Sequence, residues 1–465
     1  MALAIGGRKE SGVSEWEWTP QPEGQRIVDE IVERFLSRCA GAAEMASRMR
    51  HETGTRFGDW IDFVSAPEDE GLAGRLAEAG FVEKAEAGAK RCFRHAGAMF
   101  PPVMLERGPT TKVGIKVESV ADFASAWTIP NDHVIQGEPW SRLRRVAAAY
   151  GDNAELWAVE RHGYEGFDAA GPDPARCVLT LRHLESLRRR LRAWPDDDQG
   201  FARANALVDA SMADLGVDLT CDLFFRAERE YWERRNRAAQ VQKARQDKLG
   251  LGWANHDHHT FRSSRRNFRR LIALLEKLGF HCRERFYAGA EAGWGAQVLE
   301  HPVCGLTVFA DVDLSADEVG GNFAHETIAE RGELGTVGLW CGLHGESVLQ
   351  AGMHHLECQF EHDALREQLA AAGVHTMAPF TDLGFLKQAF TEGERWAVDG
   401  DRVDRLLERG LITPTQAYDF RTQGAIGSHL ENLERHDGYK GFNQHGVSEI
   451  IARTDPRKHA ALMGA

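Results

Sequence analysis

The sequence predicts an α+β protein built from βαβββ modules, with a large helical insertion between them, a pattern whose shape is similar to that of half-barrel sheets. Two observations lead to this. Strand-like segments that open on a histidine recur ahead of a helix ending in glycine: His51 before Gly80, His258 before Gly279 and His355 before Gly373. Between the first and second of these, from Asp122 to Gly250, the character turns helical and highly charged.

In chain order, the segment to about Trp18 is polar, and GQRIVDEIVERFLSRC then places Ile27, Ile31, Phe35 and Leu36 at helical spacing. RHETGTRFGDWIDFVSAPEDEGLAGRLAEAGF reads as a strand-like start at His51, a helix from about Pro67 and a Gly80 stop, with AKRCFRHA and KVGIKVES as further strands. PWSRLRRVAAAYG, LRHLESLRRRLRAW and CDLFFRAEREYWERRNRAAQVQKARQDKLG are read as helices with a solvated face. After HHTFRSS comes a helix RRNFRRLIALLEKL, then HCRERFYAG, GAQVLEHP and GLTVFADVDL as strands bounded by glycine and proline, a full β-α-β-β-β unit. MHHLECQF followed by EHDALREQLAAAGV starts a third unit. The expected division is 19–121 for the N-terminal helix and first module, 122–250 for the insertion, 251–345 for the second module, and 346–465 for a third module-like segment and a C-terminal cover.

Composition bounds the function. The 465 residues call for several modules, 43% hydrophobic and 27% charged residues are those of a soluble globular chain, and a net charge of −14 disfavours nucleic acid and anionic membranes as partners. No run approaches the roughly 18 apolar residues of a membrane span, and MALAIGGRKESG lacks the apolar core of a secretory signal, so a cytoplasmic location is expected. Eight scattered cysteines without a Cys-x-x-Cys pair argue for reduced thiols and against a zinc-cysteine site.

The chemistry concentrates in NHDHHTFRSSRRNF. On a strand His256 and His258 share a face and His259 takes the other; with His259 and Phe261 on the apolar side, His258, Thr260 and Arg262 point together. Histidines from two leading strands and one carboxylate would form a facial site that leaves positions open on Fe(II). GGNFAHETIAERGELG offers Glu326, Glu330 and Glu333 for the carboxylate, beside His325. A ligand histidine followed by an arginine on the same face, as in His258 and Arg262, suits a substrate with a carboxylate at its far end; His51 and Arg56 repeat the idea if Gly54 forms a bulge.

These residues resemble the 2-oxoadipate dioxygenase/decarboxylase, or hydroxyglutarate synthase, family of the vicinal-oxygen-chelate superfamily, in five patches between His51 and Ile451. RHETGTR looks like its first ligand segment, HHTFR like its second, and FAHETIAERG like the segment with the glutamate ligand, although one extra residue stands before Arg56 and another before Glu326. MHHLECQF is similar to a strand that carries no ligand there, and LLERGLITPTQAYDFRTQGAIGSHLENL to a segment that folds over the site. The resemblance implies metal ligands His51, His258 and Glu326, with Glu330 competing for the third place. It implies Arg56 and Arg262 as catalytic residues and Gln423 beside the substrate. The cofactor would be Fe(II), with Mn or Zn as lesser options, and the partners a small oxo acid and O2, converted by oxidative decarboxylation and hydroxylation to a 2-hydroxy acid. The alternatives are another metal-dependent enzyme of that superfamily, a ring-cleaving dioxygenase or glyoxalase-like isomerase, or a non-catalytic protein whose arginine-rich helices near Arg188 and Arg265 meet an acidic partner.

Overall fold

Residues 18–85, 91–130, 133–169, 171, 173–443 and 455–457 are described in the computed structural model. The polar N-terminal segment before Trp18 and the end of the resemblance near Ile451 lie outside them.

Four modules of one pattern build two sheets. The first runs β1 (Ile61–Pro67), a helix (Glu70–Glu78), β2 (Val82–Ala85), β3 (Arg91–Arg94) and β4 (Val103–Glu106). The second runs β5 (Thr111–Lys116), a helix (Val120–Ala126), β6 (Leu143–Gly151) and β7 (Ala154–Arg161), one strand short. The third runs β8 (His256–Arg262), a helix (Phe268–Lys277), β9 (His281–Tyr287), β10 (Trp294–His301) and β11 (Leu306–Asp313). The fourth runs β12 (His355–Gln359), a helix (His362–Ala371), β13 (Thr381–Leu383), β14 (Leu386–Phe390), β15 (Glu394–Trp396) and, after two more helices, β16 (Ala425–Arg435).

Strand order makes the pairing explicit. The first sheet is β2-β3-β4-β1-β5-β7-β6 and the second β13-β14-β16-β12-β8-β11-β10-β9, with β15 beside β16. In every module the leading strand lies parallel to the last one, and in each sheet the two leading strands meet antiparallel, β1 with β5 and β8 with β12. Each sheet is therefore two modules related by an approximate two-fold at its centre, the half-barrel architecture of the vicinal-oxygen-chelate fold.

Local chemistry explains the units. In the third module Phe268, Leu271, Ile272, Leu274 and Leu275 form one buried stripe, each worth about 2 kcal/mol over an exposed position. The helix stops because Gly279 takes φ +94°, and a Cβ there would stand 2.7 Å from the His301 ring. In the first module Asp69 caps the helix by accepting the Gly71 N–H at 2.8 Å. The helix Val217–Glu233 lies against the second sheet, with Phe225 edge-on to His259 and Phe261.

Two expectations are corrected. The stretch 122–250 is not wholly helical: LRRVAAAYG is β6 and its partner is β7, so the insertion proper consists of the helices Pro174–Arg188, Asp197–Leu215, Val217–Glu233 and Arg237–Asp247. Alanine-rich apolar runs satisfy either period, and pairing with β7 decides for strand. Nor does His51 open a strand. It sits in a π-helical turn, Met49–Thr53, that prolongs the helix Ala40–Arg48 until Gly54 ends it at φ +66°; the leading strand begins ten residues later and carries no histidine.

Candidate metal centre

The side chains of His258, His355 and Glu431 converge on the inner face of the second sheet, their ligand atoms all within 4.8 Å of one another. The two-fold explains the arrangement. His258 is third in β8 and His355 first in β12, and the registers Thr260↔Phe309 and Glu357↔Glu431 place Phe309 in the third module where the fourth has Glu431. Each module thus supplies a histidine, and only the fourth supplies a carboxylate.

Both imidazoles are aimed by their outer nitrogens. His258 Nδ1 faces Glu357 Oε1 at 3.1 Å and Asp257 Oδ1 at 3.3 Å, which leaves Nε2 directed at Glu431 Oε2, 3.9 Å away. His355 Nδ1 meets His429 Nε2 at 3.1 Å, and its Nε2 stands 3.1 Å from the same Glu431 oxygen and 2.9 Å from Thr260 Oγ1. Gln388 Nε2 donates to the other Glu431 oxygen at 3.1 Å. Asp257 is clamped by Arg435 at 3.0 and 3.1 Å and by Gln359 at 3.0 Å. Such outer contacts fix the tautomer and direction of a ligand ring.

The electrostatics call for a cation. Three carboxylates, Asp257, Glu357 and Glu431, surround His258. Burial opposes a charged imidazole, yet Glu357, Asp257 and Glu431 outweigh it and push His258 up to about 10. Burial and the Glu431 charge hold the Glu357 carboxyl well above its usual range, and burial raises Glu431. Glu357 is fully buried, and its carboxylate meets no well-directed donor beyond the His258 Nδ1 contact at 3.1 Å. A divalent ion would relieve this clustering of negative charge, and a two-histidine, one-carboxylate set with further positions free fits one.

These residues line a cavity of about 60 Å³ whose remaining wall is mostly aromatic: Phe286, Trp294, Phe309, Phe380, Phe390 and Phe442. Phe442 lies edge-on to His258 at 5.1 Å and to Phe309 at 4.6 Å, so the segment after β16 covers the site. Arg435 holds that segment by donating to the carbonyls of Tyr439 and Gly441. Asp311 also faces the cavity; burial outweighs the neighbouring Arg262 and His258 and carries its carboxyl to about 7.

Of the residues chosen from sequence, His258 is in this cluster. Thr260 and Arg262 share its strand face, but Arg262 stands behind Asp311 with Nε 3.7 Å from its carboxylate and does not line the cavity. His256 departs from the expected face: a register irregularity between His256 and His258 turns it to the opposite side, beside His259 at 5.2 Å. His51 is exposed and bonds through Nδ1 to the Ser47 carbonyl at 2.7 Å. Glu326, Glu330 and Glu333 are exposed on a loop behind the third module, where His325 pairs with Glu276 at 2.7 Å. Neither His51 nor any of these glutamates belongs to a ligand cluster among the described residues. Arg56 is spent on Asp59 at 2.6 Å and on the Arg435 carbonyl, and Gln423 is exposed at the end of a helix. His355 and Glu431 are the additions. The third histidine-led unit pointed to His355; SHLENLER, read for period two, shows His429 and Glu431 on one face.

A second cluster, Cys221, His301 and Cys304, forms despite the scattered spacing of the cysteines. His301 Nδ1 accepts the Cys304 N–H at 3.2 Å, which places the ring proton on Nε2, facing Asp218 at 3.6 Å; this tautomer presents no lone pair to a metal there. The arginine-rich helices are engaged within the fold. Arg190 and Arg192 pair with buried Glu228, Arg188 with Glu230, and Arg265 with Glu318. No helix among the described residues is long and apolar enough to cross a membrane.

No protein-family model and no curated protein matches the sequence. Among solved structures, the chain is similar to a variant of 4-hydroxymandelate synthase from Streptomyces coelicolor at 12% identity, over 86% of this chain and 99% of that one, with TM-score 0.27. It is similar to methylmalonyl-CoA epimerase from Mycobacterium tuberculosis at 12% identity, over 39% and 89% of the two chains, with TM-score 0.23. Glyoxalase I from Zea mays matches at 11% identity over 22% and 43%, with TM-score 0.18. At these scores the likeness carries no weight of its own; strand order and module pairing define the fold.

Proposed function

We propose that the protein is a mononuclear Fe(II)-dependent oxygenase acting on a small 2-oxo acid whose far end is apolar. The observation that carries this is the convergence of His258, His355 and Glu431 on one wall of an aromatic cavity. Fe(II) held by these three would supply open positions for a chelating substrate and for dioxygen. The chain's own contribution is placement. Glu357 and Asp257 hold the His258 ring, His429 holds His355, Gln388 holds the Glu431 carboxylate, and the Phe442 cover keeps water from the reacting centre.

The far end is apolar for a physical reason. A second carboxylate, as in 2-oxoadipate, would need a cation in the wall, whereas Arg56 is paired outside it, Arg262, although its Nε and Nη1 carry no hydrogen bond, lies off the wall behind Asp311, and the wall itself carries Asp311 and Glu357. Six aromatic side chains favour an apolar group, and the cavity volume of about 60 Å³ keeps it small. Oxygen consumption by anaerobically Fe(II)-loaded protein across a panel of 2-oxo acids tests this. Uptake should be greatest with apolar side chains and lost in Glu431→Gln. Full uptake in that variant would defeat the site, and a preference for dicarboxylates would defeat the substrate class.

One observation favours a second reading. Asp311, with its carboxyl at about 7, faces the cavity and is suited to moving a proton to or from a metal-chelated carbonyl compound. A metal-dependent isomerase built on this group would turn over without oxygen, so the same oxygen measurement separates the two.

A further inference from the structure

A roomier cavity than that at the metal centre lies elsewhere. It measures about 320 Å³ and sits at the inner face of the first sheet, closed by the helix Val217–Glu233 and by the residues leading into β8. Its floor is apolar, from Phe100, Val117, Val159 and Trp253, and its walls are ionic. No histidine and carboxylate cluster of metal-ligand geometry forms at this sheet's inner face among the described residues.

The charges divide unevenly once their partners are assigned. Asp62 is taken by Arg161, which grips both its oxygens at 2.7 to 3.0 Å. Asp222 faces His162 at 3.1 Å and Glu118 faces Lys243 at 3.3 Å. Three cations remain without an ion-pair partner among the described residues: Lys116 at the end of β5, and Arg226 and Arg229 one helical turn apart. Arg229 retains only 7% of its surface exposed, yet its Nε has no hydrogen-bond partner, and neither has that of Arg226. A buried guanidinium with idle donors costs free energy that an anion would recover. The field is felt by the neighbours: burial works against an ionised Glu118, but Arg226, Lys243 and Arg229 bring it down to about 2.

We propose that this cavity is a second binding site, for a small organic anion whose carboxylate or phosphate oxygens are held by Lys116, Arg226 and Arg229 while its body rests on Phe100 and Trp253. Its volume is that of a compact metabolite. Paired guanidinium donors suit planar or tetrahedral oxyanions, and the ammonium of Lys116 adds a point charge from the opposite wall. The three cations come from β5 and the inserted helix and none is a ligand of the metal centre, although His256, at the start of β8, brings the cavity within two residues of His258.

Isothermal titration calorimetry of the full-length, metal-loaded protein with inorganic phosphate and, separately, with succinate tests it, the two probes distinguishing phosphate from carboxylate recognition. Saturable binding of at least one is expected, weakened roughly tenfold or more by Lys116→Ala and further by Lys116→Glu. Metal content should be unchanged in both variants, which separates this site from the reading of the metal centre. Lys116 sits exposed at the cavity wall, so the fold should survive its replacement; an unchanged melting profile verifies this. Absence of saturable binding by either probe at about 10 mM, or an affinity indifferent to Lys116→Glu, would overturn the proposal.

Discussion

The two half-barrels share strand order and pairing but not chemistry. In the second, the leading strands carry His258 and His355 and the last strand Glu431, around a narrow aromatic cavity. In the first, the inner face carries the Asp62–Arg161 pair and Lys116 around a wider ionic one. Topology therefore provides a curved wall with inward positions on adjacent strands; three side chains decide whether that wall suits a cation or an anion. The second module lacks one strand, so the first sheet has seven strands against nine in the second.

The sharpest way to break this contrast is to remove the three ligands. His258→Ala, His355→Ala and Glu431→Gln should each lower bound metal from about one per chain to under a tenth of that, with activity lost; His51→Ala and Glu326→Ala should leave both unchanged. Elemental analysis of each variant decides. The opposite experiment restores symmetry: Phe309→Glu places a carboxylate where the two-fold relates it to Glu431. Metal should be retained and turnover should fall by about 100-fold or more, because the added ligand takes an open position. Proton competition gives a third test. His258 is raised to about 10, so below that pH the metal-free protein holds a proton that a metal must displace. Metal affinity should climb between about pH 6.5 and 10, by up to about tenfold per unit. The proton's stabilisation of the metal-free fold, full below about pH 6.5, should fade as pH rises through 10.

Much of the second half-barrel was legible in the sequence. Its leading strand, the helix ending at Gly279 and the following strands follow from periodicity and glycine placement, whereas His258 was preferred to its neighbours for standing ahead of Thr260 and Arg262, as in the resembling segment. His355 was marked as the head of a third unit, but the resemblance assigned no ligand to that strand. Glu431 escaped because two helices separate β14 from β16, and because β16 is buried along its whole length, so no polar-apolar alternation betrays its faces. The first half-barrel was less legible. RHETGTR resembles a ligand segment, yet its histidine falls on a helical extension stopped by Gly54, and the true leading strand, IDFVSAP, offers Asp62 instead. LRRVAAAYG pairs locally, through the two-residue turn Asp152-Asn153, with β7, but its alanine-rich run fits a helix as well as a strand, and the sheet it joins is set by the distant pairing of β7 with β5.

A smaller effect distinguishes the structural role of ionic groups in the first sheet from the metal-holding role in the second. Asp62→Asn leaves the largely buried Arg161 with a neutral partner, though Arg161 keeps its bonds to the Tyr164 and Gly166 carbonyls. A loss of roughly 3 kcal/mol in chemical denaturation is expected, with metal content intact. A loss of metal would mean that the two sheets are coupled more tightly than their separate inner faces suggest.

The smallest effect concerns the arginine-rich helices and the rival reading of a non-catalytic interaction protein. Arg188 bonds Glu230 through two guanidinium nitrogens, but its side chain is 41% exposed and water screens the pair. Arg188→Ala should cost under about 1 kcal/mol and leave metal content and oxygen uptake untouched. Just past the end of the helix Pro174–Arg188 the arrangement reverses, for Arg190 and Arg192 share the fully buried Glu228 and also donate to the carbonyls of Val348 and Leu349, just ahead of β12. These arginines tie the insertion to the approach of the strand that carries His355. Their positive charge is therefore consumed inside the molecule, and an acidic partner would find Arg188 and the more exposed Arg189 at this face, each already beside a glutamate. Dependence of activity on Arg188 would contradict that division between an exposed, dispensable pair and a buried, structural one.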